Sequence, residues 1–368
     1  MTKPDGVFID VTRLVARRWS GRQATGIDRV CEAYLDHFAH DARAVIQHRG
    51  VFRIFGEADS RRLFALLRDA HRPFRTAFSA FAIHAFARAR SQVDAMGACY
   101  INVGHTDFDL PRHARWIARC DMRAVYMVHD LIPLTHGDLC SEHAIARHRG
   151  RVLQALDKAA GIVVNSHATE TELRAFAARE GRTVPPVLCA HLAGGVFAPA
   201  NRVSVSTRPY FLTVGTIERR KNHMTLFRAW RDLIAQLGPD CPRLVVAGQV
   251  GPQTSAIRAF LARHPQLDDH ITILASCSDP QLGSLIDGAV AMLLPSLSEG
   301  FGIPLIEALE RKTPVIASDL PSLREIGQGI PVFPDPLAVE DWVAMIAAYC
   351  GNGPERSRQM ERMRAYRP

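Results

Sequence analysis

Glu299 and Glu307 stand eight residues apart in the stretch PSLSEGFGIPLIEAL, with Gly300 and Gly302 between them and Pro304 just beyond. The apolar run VAMLLPS ends near Pro295 as a strand would, and Pro304 suits the first position of a helix. Glu299 to Gly302 therefore read as a loop leading from a sheet into a helix N-terminus. In an open α/β sheet, ligands collect at such loops, at the carboxyl ends of strands. Glycines there remove side chains that would hold a ligand off, and the N–H groups of the first helical turn favour a phosphate. Carboxylates repel phosphate, so the two glutamates are expected to accept hydrogen bonds from hydroxyl groups, which sugars present in number. Phosphate-binding backbone beside two hydroxyl acceptors points to a sugar nucleotide. Taken alone, an exposed loop acid and a glutamate that favours a helix N-terminus would look the same.

A second stretch, LTVGTIERRKNHMTLFRAW at 212 to 230, narrows the choice. A strand ends there at Gly215, and Glu218, Arg219, Arg220 and Lys221 precede a helix that Asn222 is placed to cap. Arginine offers a bidentate fork and lysine a mobile point charge, a combination that neutralises a diphosphate.

These loops need sheets to carry them. Short apolar runs recur at VFIDVTRL (7), CYINVGH (99), RAVYMVHD (123), GIVVNS (161) and VLCAHL (187). A second series follows at PYFLTVGT (209), RLVVAGQ (243), ITILAS (271), VAMLLPS (290), TPVIAS (313) and IPVFPD (330). Continuous apolar strands alternating with longer amphipathic segments describe parallel sheets covered by helices on both faces. The expectation is an α/β protein of two doubly wound, Rossmann-like domains, residues 1–204 and 205–368, facing a central cleft. GGVFAPANRVSVSTRP, 194 to 209, reads as the linker.

At 368 residues the chain exceeds one ordinary core, which supports two domains. No signal peptide or apolar run of spanning length appears, and eight scattered cysteines without paired spacing suit a reducing cytoplasm. The sixteen histidines include no HExxH, and His136, His143 and His148 read as surface residues, so no metal is expected. A formal charge of +8 calls for an anionic partner, but no RNA-binding, helix-turn-helix or basic–aromatic signature points to nucleic acid. Residues 61–91 carry seven arginines, five phenylalanines and one acid, Asp69. Phe74, Phe78, Phe81 and Ala85 share a helical face flanked by Arg75, Arg88 and Arg90. This segment is either a core helix with a solvated basic side or a peripheral contact with an anionic membrane.

In combination, EGFGIPLIEA and the preceding GTIERRKN resemble the large family 4 of retaining, nucleotide-sugar-dependent glycosyltransferases of group 1 type, with the GT-B fold. TGIDRVCEAYL (25 to 35) is similar to the family's glycine loop and first helix, VHDLIP (128 to 133) to its His-Asp stretch, and NSHATETEL (165 to 173) to the segment after the last N-terminal strands. The resemblance implies that Glu299 holds donor-sugar hydroxyls, Glu307 binds the ribose, and Arg220 with Lys221 stabilises the departing diphosphate. It implies donor contacts from the main chain around Phe301, Gly302, Ile303 and Gly215. Gly26 would let the N-terminal loop approach the donor phosphates and acceptor, and His129 would stand by the transferred sugar.

It further implies same-face substitution without a general base, metal or cofactor. Asp107 and Asp109 of HTDFDL read as loop acids rather than a metal motif. Two departures stand out. Asp28 takes the place of a second glycine, and the sequence stops at ERMRAYRP, where the family commonly continues with a tail crossing to the first domain. Either the sequence is shortened or interdomain closure is held differently. The reading is a cytoplasmic glycosyltransferase without a cofactor. It moves a sugar from a nucleoside diphosphate donor, GDP-mannose first, to a glycan or lipid-linked acceptor of bacterial surface polysaccharide. A sugar-nucleotide epimerase and a non-catalytic glycan- or partner-binding scaffold are the alternatives.

Overall fold

The computed structural model describes residues 6–69, 73–87, 93–195, 197, 208–251, 254–350 and 353–367. The chain divides into two compact units, Met1–His191 and Leu192–Pro368. Most of the expected linker, at 196 and 198–207, lies outside the described residues.

The first unit holds seven strands: β1 (Val7–Asp10), β2 (Ala42–His48), β3 (Val51–Ile54), β4 (Cys99–Asn102), β5 (Arg123–Val128), β6 (Gly161–Val164) and β7 (Val187–Cys189). They lie in the order β3-β2-β1-β4-β5-β6-β7, parallel except for the β2–β3 hairpin. The sequence does not announce that hairpin, because Arg43 and Gln47 interrupt the apolar run of β2 and β3 is only half-buried. Its turn, Arg49-Gly50, takes positive φ at both residues (50° and 77°), the geometry of a tight two-residue hairpin.

Gln47 is buried for a reason. Its Nε2 donates to Asp10 Oδ2 and to the Tyr100 hydroxyl, each at 2.6 Å, and its Oε1 accepts from His113 Nδ1 at 2.7 Å. The Tyr126 hydroxyl then donates to His113 Nε2 at 2.8 Å. A polar thread thus runs through an otherwise aromatic core of Phe8, Tyr100, Phe108, Trp116 and Tyr126.

The second unit holds β8 (Tyr210–Val214), β9 (Arg243–Ala247), β10 (Ile271–Leu274), β11 (Met292–Leu294) and β12 (Val315–Ala317) in the order β10-β9-β8-β11-β12, all parallel. Side-chain alternation splits these strands between two cores. Leu212, Val245, Met292, Leu294 and Val315 join one, with Leu305, Leu309 and Leu323. Phe211, Leu244, Val246, Leu293 and Ile316 join the other, with Trp230, Trp342 and Tyr349. Burial on both faces requires the near-continuous apolar strands seen in the sequence. IPVFPD forms only a single bridge, Ile316 to Val332, rather than a further strand. Prolines at 331 and 334 lack the N–H a ladder needs.

The helix Pro354–Arg362 is fastened to this sheet through one amide. Gln359, fully buried, donates from Nε2 to Val315 O (2.7 Å) and Ile330 O (3.2 Å), and its Oε1 accepts from Val315 N (3.2 Å) and the Tyr349 hydroxyl (3.0 Å). Gln359→Leu leaves these groups short of partners, so we expect a loss of about 1–3 kcal/mol, read as a lower urea midpoint. An unchanged midpoint would refute the role.

The basic segment at 61–91 spans parts of two helices, Glu57–Arg68 and Phe74–Ala87, with 70–72 and 88–91 outside the described residues. Phe74 and Phe81 are buried, Phe74 stacks on Phe78 at 5.4 Å, and Phe81 meets Phe55 at 5.5 Å. The Phe stripe therefore packs inward. Among the described residues no helix is long and apolar enough to cross a membrane.

Candidate functional site

Because β8 and β11 are neighbours, the loops that follow them emerge side by side at the carboxyl edge of the second sheet. Hydrogen bonds stitch the two loops together. Leu297 N donates to Arg220 O (2.8 Å), Arg220 Nη1 to Ser298 O (3.1 Å), and Asn222 Nδ2 to Pro295 O (3.0 Å) and Pro336 O (2.8 Å). Asn222, at φ 52°, thus spends its amide across the loops and does not cap the helix His223–Leu237 with its side chain, a correction to the sequence expectation.

The stitched loops bring Glu299, Arg220 and Lys221 into one cluster. Glu299 Oε1 accepts from Lys221 Nζ (2.5 Å) and Ser296 Oγ (2.6 Å), while Oε2 accepts from Arg220 Nη1 (3.0 Å). Arg220 Nη2 also donates to Glu218 Oε1 at 2.9 Å. Burial pushes the Glu299 carboxyl up, but Lys221, Arg220 and the donated hydrogen bonds outweigh it and hold the group at about 2. An ionised carboxylate offers about four acceptor positions, so a hydroxyl arriving here shares Glu299 with both cations. The sequence suggests separate targets for the acid and the bases. The structure makes them one unit.

Ser322 Oγ holds the loop from behind by donating to Glu299 O at 2.6 Å. Gly302 stands at the N-cap of the helix Ile303–Glu310 with φ 99°, and a Cβ there would lie 2.5 Å from Leu323 Cδ2. Both the backbone and the space demand glycine. Pro304 is the second helical residue rather than the first. Phe301 is buried in the core, so only its main chain is placed to serve a ligand. Glu307, one turn into the helix, is 1% exposed. Gly215 lies against Lys221, since a Cβ on it would stand 3.3 Å from Lys221 Cε. Gly248, at the end of β9, is not among the residues the sequence reading singles out, although its place after RLVVA is a signal: a Cβ there would fall 1.9 Å from Gly215 O.

In the first unit His129 is 4% exposed and its Nε2 lies 2.7 Å from Val103 O. His105 stands beside it with ring centroids 5.0 Å apart and bonds Met127 O through Nε2 at 2.9 Å. His148, 5.6 Å from His105, is buried and bonds Asp130 O at 3.0 Å, which corrects the expectation of a surface residue. His105 is a further residue that sequence reasoning misses, though it ends the strand-like CYINVGH. Burial holds all three imidazoles below the usual 6.5.

A histidine with a lowered folded pKa binds fewer protons than in the unfolded chain, so its stabilising share is present above 6.5 and is lost as pH falls below it. We expect thermal stability to fall as pH drops from about 7 to about 5, each kcal/mol shifting Tm by about 2–4 °C. Calorimetry showing a flat Tm over that range would contradict this.

Gly26 is the exposed first residue of the helix Gly26–Phe38, where Asp28 closes a capping box on Thr25. Asp28 also accepts from Arg13 Nε (2.6 Å) and Arg17 Nε (2.9 Å), so the residue replacing a second glycine is committed to holding this turn. Asp107 and Asp109 are loop acids paired with Arg147 at 3.3 Å and 2.9 Å.

Two sheets, the second all parallel and the first parallel except for its β2–β3 pair, with ligand-type loops at their carboxyl edges, fit the GT-B class of glycosyltransferase folds. The sucrose-phosphate synthase structure from Thermosynechococcus elongatus shares this fold, with a TM-score of 0.64 at 18% identity over 98% of this chain and 94% of that one. Residues 198–364 match the family described as glycosyl transferases group 1. It is 30% identical over 246 residues to the serotype-specific mannosyltransferase WbdA of Escherichia coli, covering 60% of this chain and 30% of that protein. It is 38% identical over 140 residues to the O-antigen chain mannosyltransferase RfbU of Salmonella typhimurium, covering 37% of each. The matched regions thus span about a third of the length of these curated relatives.

Proposed function

We propose that this chain transfers a sugar, with retention, from a nucleoside diphosphate sugar to a glycan or lipid-linked acceptor in surface polysaccharide synthesis, mannose from GDP-mannose being the first candidate. The observation that carries the reading is the cluster of Lys221, Arg220 and Glu299 beside the N-terminus of Ile303–Glu310. The mannosyltransferase relatives support the sugar and the pathway class.

Breaking the bond to a diphosphate builds negative charge on the leaving group and positive charge on the sugar. Lys221 and Arg220, preorganised by Glu299, meet the first charge together with the N–H groups after Gly302. Glu299 keeps its charge down to about 2, so it is a hydrogen-bond acceptor and not a proton donor near neutrality. Glu307 takes the ribose hydroxyls. His129, held neutral, orients a hydroxyl of the transferred sugar. The leaving phosphate accepts the acceptor's proton, and the reaction needs no separate base or metal.

The test is calorimetric binding of GDP, UDP, dTDP and ADP to the wild type, Glu307→Ala and Lys221→Ala. Selective binding of one diphosphate that weakens in both variants supports the donor site, and acceptor-dependent nucleotide release separates a transferase from an epimerase. No binding of any of the four would overturn the reading.

The cytoplasmic face of the membrane is the proposed place of work. Trp19 (44% exposed) and Ile83 (73% exposed) present apolar surface, and the Arg75 guanidinium lies over the Trp19 ring at 6.0 Å. We expect pelleting with anionic liposomes that falls in the Trp19→Ser, Ile83→Ser double variant. Equal pelleting of both proteins would count against this surface.

A further inference from the structure

The register of β6 and β7 places Val164 opposite Cys189, so the chain leaving each strand does so at the same edge of the first sheet. After β6, Ser166 caps the helix His167–Arg179, which puts His167 at its first position. After β7, His191 follows Cys189 by two residues. One donor atom from each of His167, Cys189 and His191 lies within 4.8 Å of the others, and the two imidazole rings meet edge-on with centroids 6.0 Å apart. Cys189 is half-buried and both histidines are exposed.

We propose that His167, Cys189 and His191 form a three-ligand site for a borderline-soft divalent ion of the zinc class. In a tetrahedral site, metal bonds of about 2.0–2.3 Å set neighbouring donors about 3.5 Å apart, a separation that modest side-chain rotation reaches from the observed spacing. A thiolate with two imidazoles favours zinc-class ions over magnesium or calcium. The Glu170 carboxylate, 3.5 Å from His167 Nδ1, stands where a carboxylate orients a metal-bound imidazole through its other nitrogen. Binding replaces the Cys189 S–H bond with a sulfur–metal bond and releases one proton to solvent, so affinity rises with pH. The three proposed ligands belong to the first unit, and the proposal does not rest on the glycosyl-transfer reading.

Titrating the full, reduced chain with Co²⁺ alone tests it. One equivalent is expected to bind with thiolate-to-cobalt charge-transfer absorption, and Zn²⁺ is expected to displace it. Cys189→Ser removes the band, His167→Ala and His191→Ala weaken uptake at least about tenfold, and Glu170→Gln weakens it about tenfold. Cys350→Ser keeps the band. Metal-free melting curves matching the wild type establish that each variant folds, and the two histidine variants carry the test if Cys189→Ser does not. No charge-transfer band, or a band that survives Cys189→Ser, overturns the proposal.

Discussion

In the proposed sugar transfer, Lys221→Ala is expected to lower kcat/KM about 10²–10³-fold, the usual cost of removing one preorganised partner of a developing anion. The same change weakens binding of the nucleoside diphosphate, because the Nζ that sits 2.5 Å from Glu299 is the cation nearest that carboxylate. With Lys221 gone, Glu299 keeps Arg220 and Ser296, and its carboxyl rises from about 2. Glu299→Gln separates the two effects. It removes the resident negative charge and leaves both cations for the phosphates, so diphosphate binding is retained or tightened while transfer falls. Steady-state kinetics with calorimetry on both variants gives the answer. Lys221→Ala within twofold of the wild type in kcat/KM would remove the cluster from the mechanism.

Gly248→Ala destabilises the second unit by about 1–3 kcal/mol or more. The added Cβ would fall 1.9 Å from Gly215 O and 2.5 Å from its carbonyl carbon. Both are backbone atoms, so no rotamer change relieves the clash and the ends of β8 and β9 must part. Gly215 also lies against Lys221, so the displacement reaches the cluster and weakens nucleotide binding even where the protein remains folded. Urea denaturation and calorimetry of the same sample report the two losses. A wild-type midpoint for Gly248→Ala would contradict this account of the close approach.

The second sheet was legible in the sequence because β8, β9, β11 and β12 are largely buried on both faces and nearly continuously apolar, as in RLVVA and MLL. The β2–β3 hairpin was not. Gln47 reads as a surface residue until Asp10, Tyr100 and His113 supply its partners, and no local pattern announces a tertiary hydrogen-bond network. The residue types around Glu299 were legible from loop position and glycine content, yet the direct pairing with Lys221 and Arg220 was not. It depends on β8 and β11 being neighbours although 77 residues of chain separate the end of one from the start of the other. His148 was misplaced at the surface because Asp130, its partner, lies on a different segment. The Cys189, His191 and His167 grouping was hidden for the same reason: register, not spacing, assembles it.

The Glu218–Arg220–Glu299–Lys221 chain of ion pairs balances two acids against two bases. Its contacts of 2.5–3.0 Å are far shorter than the screening length of about 8 Å at physiological ionic strength. Such a self-neutralised group projects little field into solvent, so it does not draw a distant nucleotide towards it. Long-range attraction falls instead to the +8 excess spread over the rest of the protein. Added salt should therefore slow the arrival of the donor while leaving its departure rate nearly unchanged.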